Sequence, residues 1–466
     1  MSLKFIFTTT LSLILSITLT LISYEASADS KLFEKKSRDG KVVVTGNSNK
    51  QDLKFYIDDN LIAWQFDDAR RKALYPILFL DHDIDNAAIL GMSTDDSIIV
   101  LHQYQAAKVN IVEQNETLID AIQEFSYLGS DYFNGKNLNI ALKKPSRWIG
   151  KSEQSFDYIT VDLRSFKLTP KLIKTIKSKL TEQGAFALWV PLGAYEKHEL
   201  FTIIDWFNQE FDGATYWYSN INPLRSDILM LGFKNQKPLT LDTLRKKSIY
   251  SQRSLLEQSN FYSLLSFYIT DGNKFNQAKS SLNDDFSSIK RRVKYKHPNN
   301  DAGYKRSADN FIALANYRAD SSTLFNTPDK KIVDKLRKYF DARSSIIDGQ
   351  MVAAKTGKVN DQLVHYDKAA KIVSDEPYLG FCYYSLGEVY YRNRLFDQAV
   401  SLLEKSRDAN QSNPMIRTLL GLAYEKTLQY NKASDEFAAA KKIDPNYSYI
   451  KIGTTKNKSA HNPIKP

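Results

Sequence analysis

Histidines are the first place to look for chemistry. His82, His102, His198, His297, His365 and His461 are scattered, without the HExxH spacing that sets two imidazoles on one helix face for zinc. No GxSxG elbow is present to raise a serine nucleophile above a sheet. Cys382 is the only cysteine, so neither an intramolecular disulfide nor a cysteine-based metal cluster can form. Its place inside a helical repeat makes it a small packing residue. Asp81-His82-Asp83 reads as a polar turn before the first core strand, and no metal site is expected. Two carboxylates at the ends of apolar runs remain: Glu113 after VNIV (109–112) and Asp162 closing YITVD (158–162). What they do depends on what positions them.

The chain opens with a strand-rich segment. KVVVT (41–45) and LKFYI (53–57) are β-branched and aromatic runs split by Gly46-Asn47-Ser48, which predicts a hairpin. Apolar runs then alternate with helix-length amphipathic segments: AAIL (87–90), VNIV, YITVD and AFALWV (185–190). Near-continuous apolar strands separated by helices predict a mostly parallel sheet covered on both faces. Residues 214–218 and 227–233, separated by Asn222-Pro223, read as a closing antiparallel pair. The expected fold is therefore an α/β Rossmann-like domain of methyltransferase type, after a small β segment. Residues 245–330 are polar and patchily helical, broken at Pro298-Asn299-Asn300.

The order hairpin, AAILG, NIVEQN, FDYITVDL, LTEQGAFALWV resembles spermidine synthases and their methyltransferase-fold relatives over residues 40–235. Further on, Asn283-Asp284-Asp285-Phe286 is similar to a stretch of larger bacterial spermidine-synthase-like proteins, with Ser287 where proline is usual. The resemblance implies a glycine-rich turn that lets backbone approach an S-adenosyl cofactor, an acid on the ribose hydroxyls, a second acid on the adenine, and a catalytic Asp-x-x-Asp loop.

On that pattern Gly91, Asp95 and Glu113 are the cofactor-binding candidates and Asp162 the catalytic one. The departures are large. The first turn reads Gly91-Met92-Ser93-Thr94-Asp95-Asp96, so only Gly91 survives of the glycines, and Met92 and Ser93 are expected to crowd the close approach. Glu113 is placed to take two ribose hydroxyls, each worth ~1.5–3 kcal/mol to a charged acceptor. Lys144 stands where the adenine-side acid is usual, and lysine accepts no hydrogen bond. After Asp162 the loop continues Leu163-Arg164-Ser165-Phe166 without its second aspartate. A dicationic diamine beside a sulfonium needs several carboxylates. Losing two or three such contacts costs ~3–6 kcal/mol, or about 10²–10⁴ in affinity.

The charge of +11 and pI of about 9.2 favour acidic partners in a nonspecific, salt-sensitive way. The densest cluster, Lys290, Arg291, Arg292, Lys294 and Lys296, lacks a nucleic-acid module and reads as a solvated face, so no specific nucleic acid is expected. At the N-terminus, Phe5 to Ile22 is an apolar run diluted by Thr and Ser, followed by Ala26-Ser27-Ala28, a small-x-small cleavage pattern. It reads as an export signal to the periplasm or beyond, with no cysteine for a lipid anchor. The alternative is an uncleaved inner-membrane anchor, for which the run is short and weakly apolar. Lys31, Lys35, Lys36, Arg38 and Lys41 after the run favour that alternative and a cytoplasmic C-terminal side. An exported domain would meet little of any S-adenosyl compound, because these are made in the cytosol.

A period of 34 governs the C-terminal part. Leu420-Gly421, Tyr424, Ala433, Phe437, Ala440 and Pro445 repeat the frame of Leu386-Gly387, Tyr390, Ala399, Leu403 and Ser406. The small residues let two helices approach while aromatics fill the groove beside them. These are tetratricopeptide positions, and segments 331–348 and 360–374 read as degenerate helices extending the stack. Such a stack takes a protein or peptide, or else buttresses the α/β domain. The organisation expected is signal peptide or anchor 1–28, β segment 29–75, spermidine synthase-like domain 76–238, helical connector 239–330, repeats 331–450 and disordered tail 451–466. The function expected is a noncatalytic, envelope-localised protein-interaction or ligand-sensing module. The alternative is a divergent aminopropyl- or methyltransferase that uses S-adenosylmethionine or its decarboxylated form.

Overall fold

A computed structural model describes residues 30–46, 53–64, 68–80, 82–92, 96–125, 133, 135–164, 167–235, 261–281, 293, 295–296, 298, 300–320, 324, 329–356 and 358–444. The expected leader over 1–28, the tail over 451–466 and Asp95 lie outside them. The chain divides into two compact units, Ser30–Leu379 and one that includes Gly380–Pro466.

The first unit begins with an antiparallel meander: β1 (Ser30–Ser37), β2 (Gly40–Gly46), β3 (Lys54–Ile57) and β4 (Asn60–Trp64). The predicted hairpin is the β2–β3 pair, with Val42 opposite Ile57 and Thr45 opposite Lys54. Asp58 and Asp59 turn β3 into β4 with φ of 48° and 64°, the left-handed pair that a two-residue hairpin of right-handed twist requires.

An eight-stranded sheet follows, in the order β12-β10-β11-β9-β8-β5-β6-β7. β5 (Asn86–Leu90), β6 (Lys108–Glu113), β7 (Leu138–Leu142), β8 (Phe156–Asp162) and β9 (Leu180–Pro191) are parallel. β10 (Thr215–Tyr218) and β11 (Asp227–Phe233) close it antiparallel, as their sequence predicts. Its helices before β10 are α1 (Asp68–Leu78), α2 (Asp96–Gln103), α3 (Glu116–Phe125), α4 (Pro145–Lys151), α5 (Pro170–Ser178) and α6 (Lys197–Glu210). α3 shows why they dock: Leu118, Ile119, Ala121, Ile122 and Phe125 form one apolar stripe and are all buried. Each such side chain contributes ~1.5–3 kcal/mol on leaving water, except the smaller alanine.

The expected connector contains α7 (Phe261–Leu265), β12 (Tyr268–Asp271), α8 (Gly272–Ser281) and α9 (Asp301–Ala315). β12 is a correction, because this stretch was read as helix and loop. It pairs with β10, Tyr216 opposite Thr270, and seals the sheet edge by packing Tyr268 on Trp217 with ring centroids 5.1 Å apart. Four residues are too few to show a periodicity, and only the aromatic neighbours make the strand.

α10 (Lys330–Thr356) and α11 (Gln362–Ile372) are the helices expected near 331–348 and 360–374, but they group with the sheet. The division falls instead inside α12 (Pro377–Arg392). Arg343 of α10 explains the grouping. It is fully buried, bonds Glu376 at 2.6 Å and Ser266 Oγ at 2.9 Å, and stacks on Phe267 at 4.0 Å and Tyr378 at 4.5 Å. The carboxylate, the hydroxyl and the ring faces offset the cost of burying the guanidinium, although its Nη1 has no hydrogen-bond partner among the described residues.

The second unit holds the rest of α12 with α13 (Phe396–Ala409), α14 (Pro414–Lys426) and α15 (Tyr430–Ile443). The 34-residue period is geometric. A Cβ on Gly387 would meet Leu403 at 2.7 Å, and one on Gly421 would meet Phe437 at 2.5 Å. Arg394 and Leu428, also 34 apart, both turn with φ of 61°. Ala399, Leu403, Leu419, Leu420, Ala423, Tyr424 and Ala433 form the core between the helices.

Candidate functional site

The strand order reverses at β5, with β6 on one side and β8 on the other. In open α/β sheets ligands bind in the crevice beyond the strand carboxyl ends at such a point. Gly91 follows β5, Glu113 ends β6 and Asp162 ends β8, so three of the four predicted site residues lie along one edge.

Gly91 adopts φ 81° and donates its N–H to Val112 O at 2.9 Å. The left-handed turn is what glycine supplies here. Met92 next to it has a buried side chain, 1% exposed, and its N–H donates to Glu113 Oε2 at 3.0 Å. The other oxygen, Oε1, accepts from Gln114 N–H at 2.8 Å and Asn115 N–H at 2.9 Å. Asn115 in turn accepts from Leu118 N–H through its own side chain, capping α3. Glu113 is 5% exposed. Burial pushes its carboxyl above the ordinary value, against the opposing pull of the Asn115, Met92 and Gln114 amides. The carboxylate therefore ties the turn after β5 to the end of β6.

Asp162 is also answered from within. Oδ1 accepts from the Arg164 backbone at 2.9 Å, and Oδ2 from the Arg164 guanidinium at 2.9 Å. The guanidinium also reaches Asp227, the first residue of β11, which is 1% exposed. Burial works against the arginine's charge, but Asp162 and Asp227 outweigh it and hold its pKa above the usual value. Two tyrosines border the cluster, Tyr195 and Tyr295, their rings edge to face at 6.0 Å. The Tyr295 hydroxyl is pushed up to about 12, chiefly by burial, with Asp162 and Asp227 adding and Arg164 opposing. One arginine thus bridges two carboxylates, a charge-assisted arrangement with little solvent to weaken it.

Lys144 lies at the start of α4, exposed and making no side-chain cap. Of the basic cluster, Lys296 is a partner of Glu196 at 2.6 Å, in the capping box of α6. No group of three or more His, Cys, Asp or Glu among the described residues is placed to hold a metal ion.

As arranged, the described residues supply only part of what an S-adenosyl cofactor requires. Both Glu113 oxygens serve backbone amides of their own chain, and the position of the adenine-side acid carries an exposed lysine. The sequence shows Arg164 in the loop after Asp162 but gives no sign of Asp227, 63 residues away, which shares it.

No protein-family model matches the chain, and no curated protein is similar to it. Solved structures similar to it include spermidine synthases. One is the enzyme from Thermotoga maritima (15% identity, TM-score 0.39, 46% of this chain and 75% of that one). A second is a spermidine synthase in complex with the transition-state analogue AdoDATO (16%, TM-score 0.38, 46% and 75%). A third is a probable spermidine synthase from Corynebacterium glutamicum (13%, TM-score 0.37, 44% and 81%).

Proposed function

We propose that the Ser30–Leu379 unit is a noncatalytic α/β module whose crevice is closed by its own side chains, and that the protein works through tetratricopeptide-type hairpins that take a protein or peptide. One observation carries this reading. Arg164 lies between Asp162 and Asp227, so a cation of the chain itself already neutralises the acids that a cationic substrate would need. The paired Gly387–Leu403 and Gly421–Phe437 contacts support the tetratricopeptide assignment. The apolar run before Ala26-Ser27-Ala28 supports an envelope location, periplasmic or anchored to the inner membrane. Fractionation of cells carrying a C-terminal reporter tests that location, and recovery in the cytosol ends it.

The convergence of Gly91, Glu113 and Asp162 on the switch point favours a second reading, an aminopropyl- or methyltransferase using an S-adenosyl compound. Thermal-shift titration of the full chain with S-adenosylmethionine and its decarboxylated form separates the two. A ligand that binds only the native state stabilises it by ~2.7 kcal/mol at a hundredfold excess over Kd. The expected result is an unchanged midpoint with both compounds. A rise that disappears in Glu113→Gln, or consumption of putrescine by the purified protein, overturns the noncatalytic reading.

A further inference from the structure

The two hairpin turns of the second unit hold side chains that the fold itself does not explain. Leu428 sits in the left-handed region at φ 61°, where a branched side chain is strained and glycine or asparagine is not. It gains no burial in return, being 71% exposed. Tyr430, two residues on, is 62% exposed, and Leu395 of the preceding turn is 44% exposed. Leu395 and Leu428 line one cleft of about 380 Å³, which brings the two turns together. A strained, solvent-facing leucine beside two further exposed apolar side chains marks a surface with a partner.

The rim of the cleft identifies the partner's chemistry. It carries Arg394 and Lys426 but also Asp397. Arg394 and Asp397 have no ion-pair partner among the described residues. An anionic lipid surface selects a rim of one sign, and Asp397 opposes it. An apolar centre with both signs beside it complements itself instead. We propose that the two turns form an isologous interface on which a second copy of this chain docks about a twofold axis. The axis passes near Leu428, so that Arg394 of each copy faces Asp397 of the other. The inference is independent of whether the crevice is catalytic.

Sedimentation equilibrium of the full chain over a concentration series tests it, and a monomer–dimer equilibrium is expected. Arg394→Asp sets two like charges across the axis twice and should weaken the dimer by about tenfold or more. Combining it with Asp397→Arg restores both pairs, so the double variant should recover most of that loss. Leu428→Asn should weaken the dimer and, at concentrations low enough for both proteins to be monomeric, raise the thermal midpoint, because asparagine tolerates the left-handed turn. A purely structural leucine would give a lower midpoint in that variant. A wild-type chain that stays monomeric overturns the proposal. So does a double variant no tighter than the single one, or a monomer that binds phosphatidylglycerol vesicles through Leu428.

Discussion

The repeat hairpins and the crevice edge are built over very different distances along the chain. In the repeats, Gly387 meets Leu403 and Gly421 meets Phe437, each pair 16 residues apart and the two pairs 34 apart. The same contact is thus written twice at a local offset. At the crevice, Met92 is bound by Glu113 from 21 residues away and Arg164 by Asp227 from 63. Those partners meet only because separate strands end at one edge of the sheet. A local offset predicts a packing contact well. A motif residue at a strand end predicts a location, but not which side chain will neutralise it there.

The largest test of this contrast is Arg164→Met. It removes the guanidinium that Asp227, whose side chain is 2% exposed, shares with Asp162, and should cost ~3–5 kcal/mol in urea unfolding at neutral pH. Adding Asp162→Asn and Asp227→Asn should return much of that loss, since the uncompensated charges go with it. A loss under ~1 kcal/mol would mean that the crevice acids are not closed from within.

A smaller effect is expected in the repeats. Gly421→Ala places a Cβ 2.5 Å from the Phe437 ring, an overpacking cost of ~1–3 kcal/mol, of which better helix propensity returns up to ~1 kcal/mol. Gly387→Ala, against Leu403 at 2.7 Å, should lose somewhat less. A gain in thermal stability from both would show the helices to be further apart than the 34-residue frame requires.

The smallest effect is a pH dependence. The carboxyl of Glu113 is raised above its ordinary value of 4.5, so the folded state holds its proton more tightly than the unfolded chain does. The stability from that proton is fully present below the unfolded value and is lost as pH rises through the folded one. Glu113→Gln should flatten that part of the stability profile, by ~1.4 kcal/mol for each unit of displacement. A profile identical to wild type across this range would show Glu113 to be as solvated as a surface acid.

Much of the α/β unit was legible in advance. AAIL, VNIV, YITVD and AFALWV all fall inside β5, β6, β8 and β9, because strands buried on both faces must be apolar throughout. Gly91, Glu113 and Asp162 lie at strand ends for the same reason. β12 was not legible: its four residues follow a helical stretch and become a strand only against Trp217 and Tyr216. Arg343 was equally silent, one of many basic residues in a helical pattern until Glu376, Phe267 and Tyr378 surround it.

By itself the sequence determined the alternation of apolar runs and helices, the closing antiparallel pair and the 34-residue spacing of the hairpins. Each of these is a periodic pattern imposed by backbone geometry, and a period can be read without knowing the partner. Only the tertiary structure decided that Glu113 holds its own chain's amides and that Arg164 is shared between Asp162 and Asp227. The state of a charge depends on every group within a few ångströms of it, and folding draws those groups from anywhere in the chain.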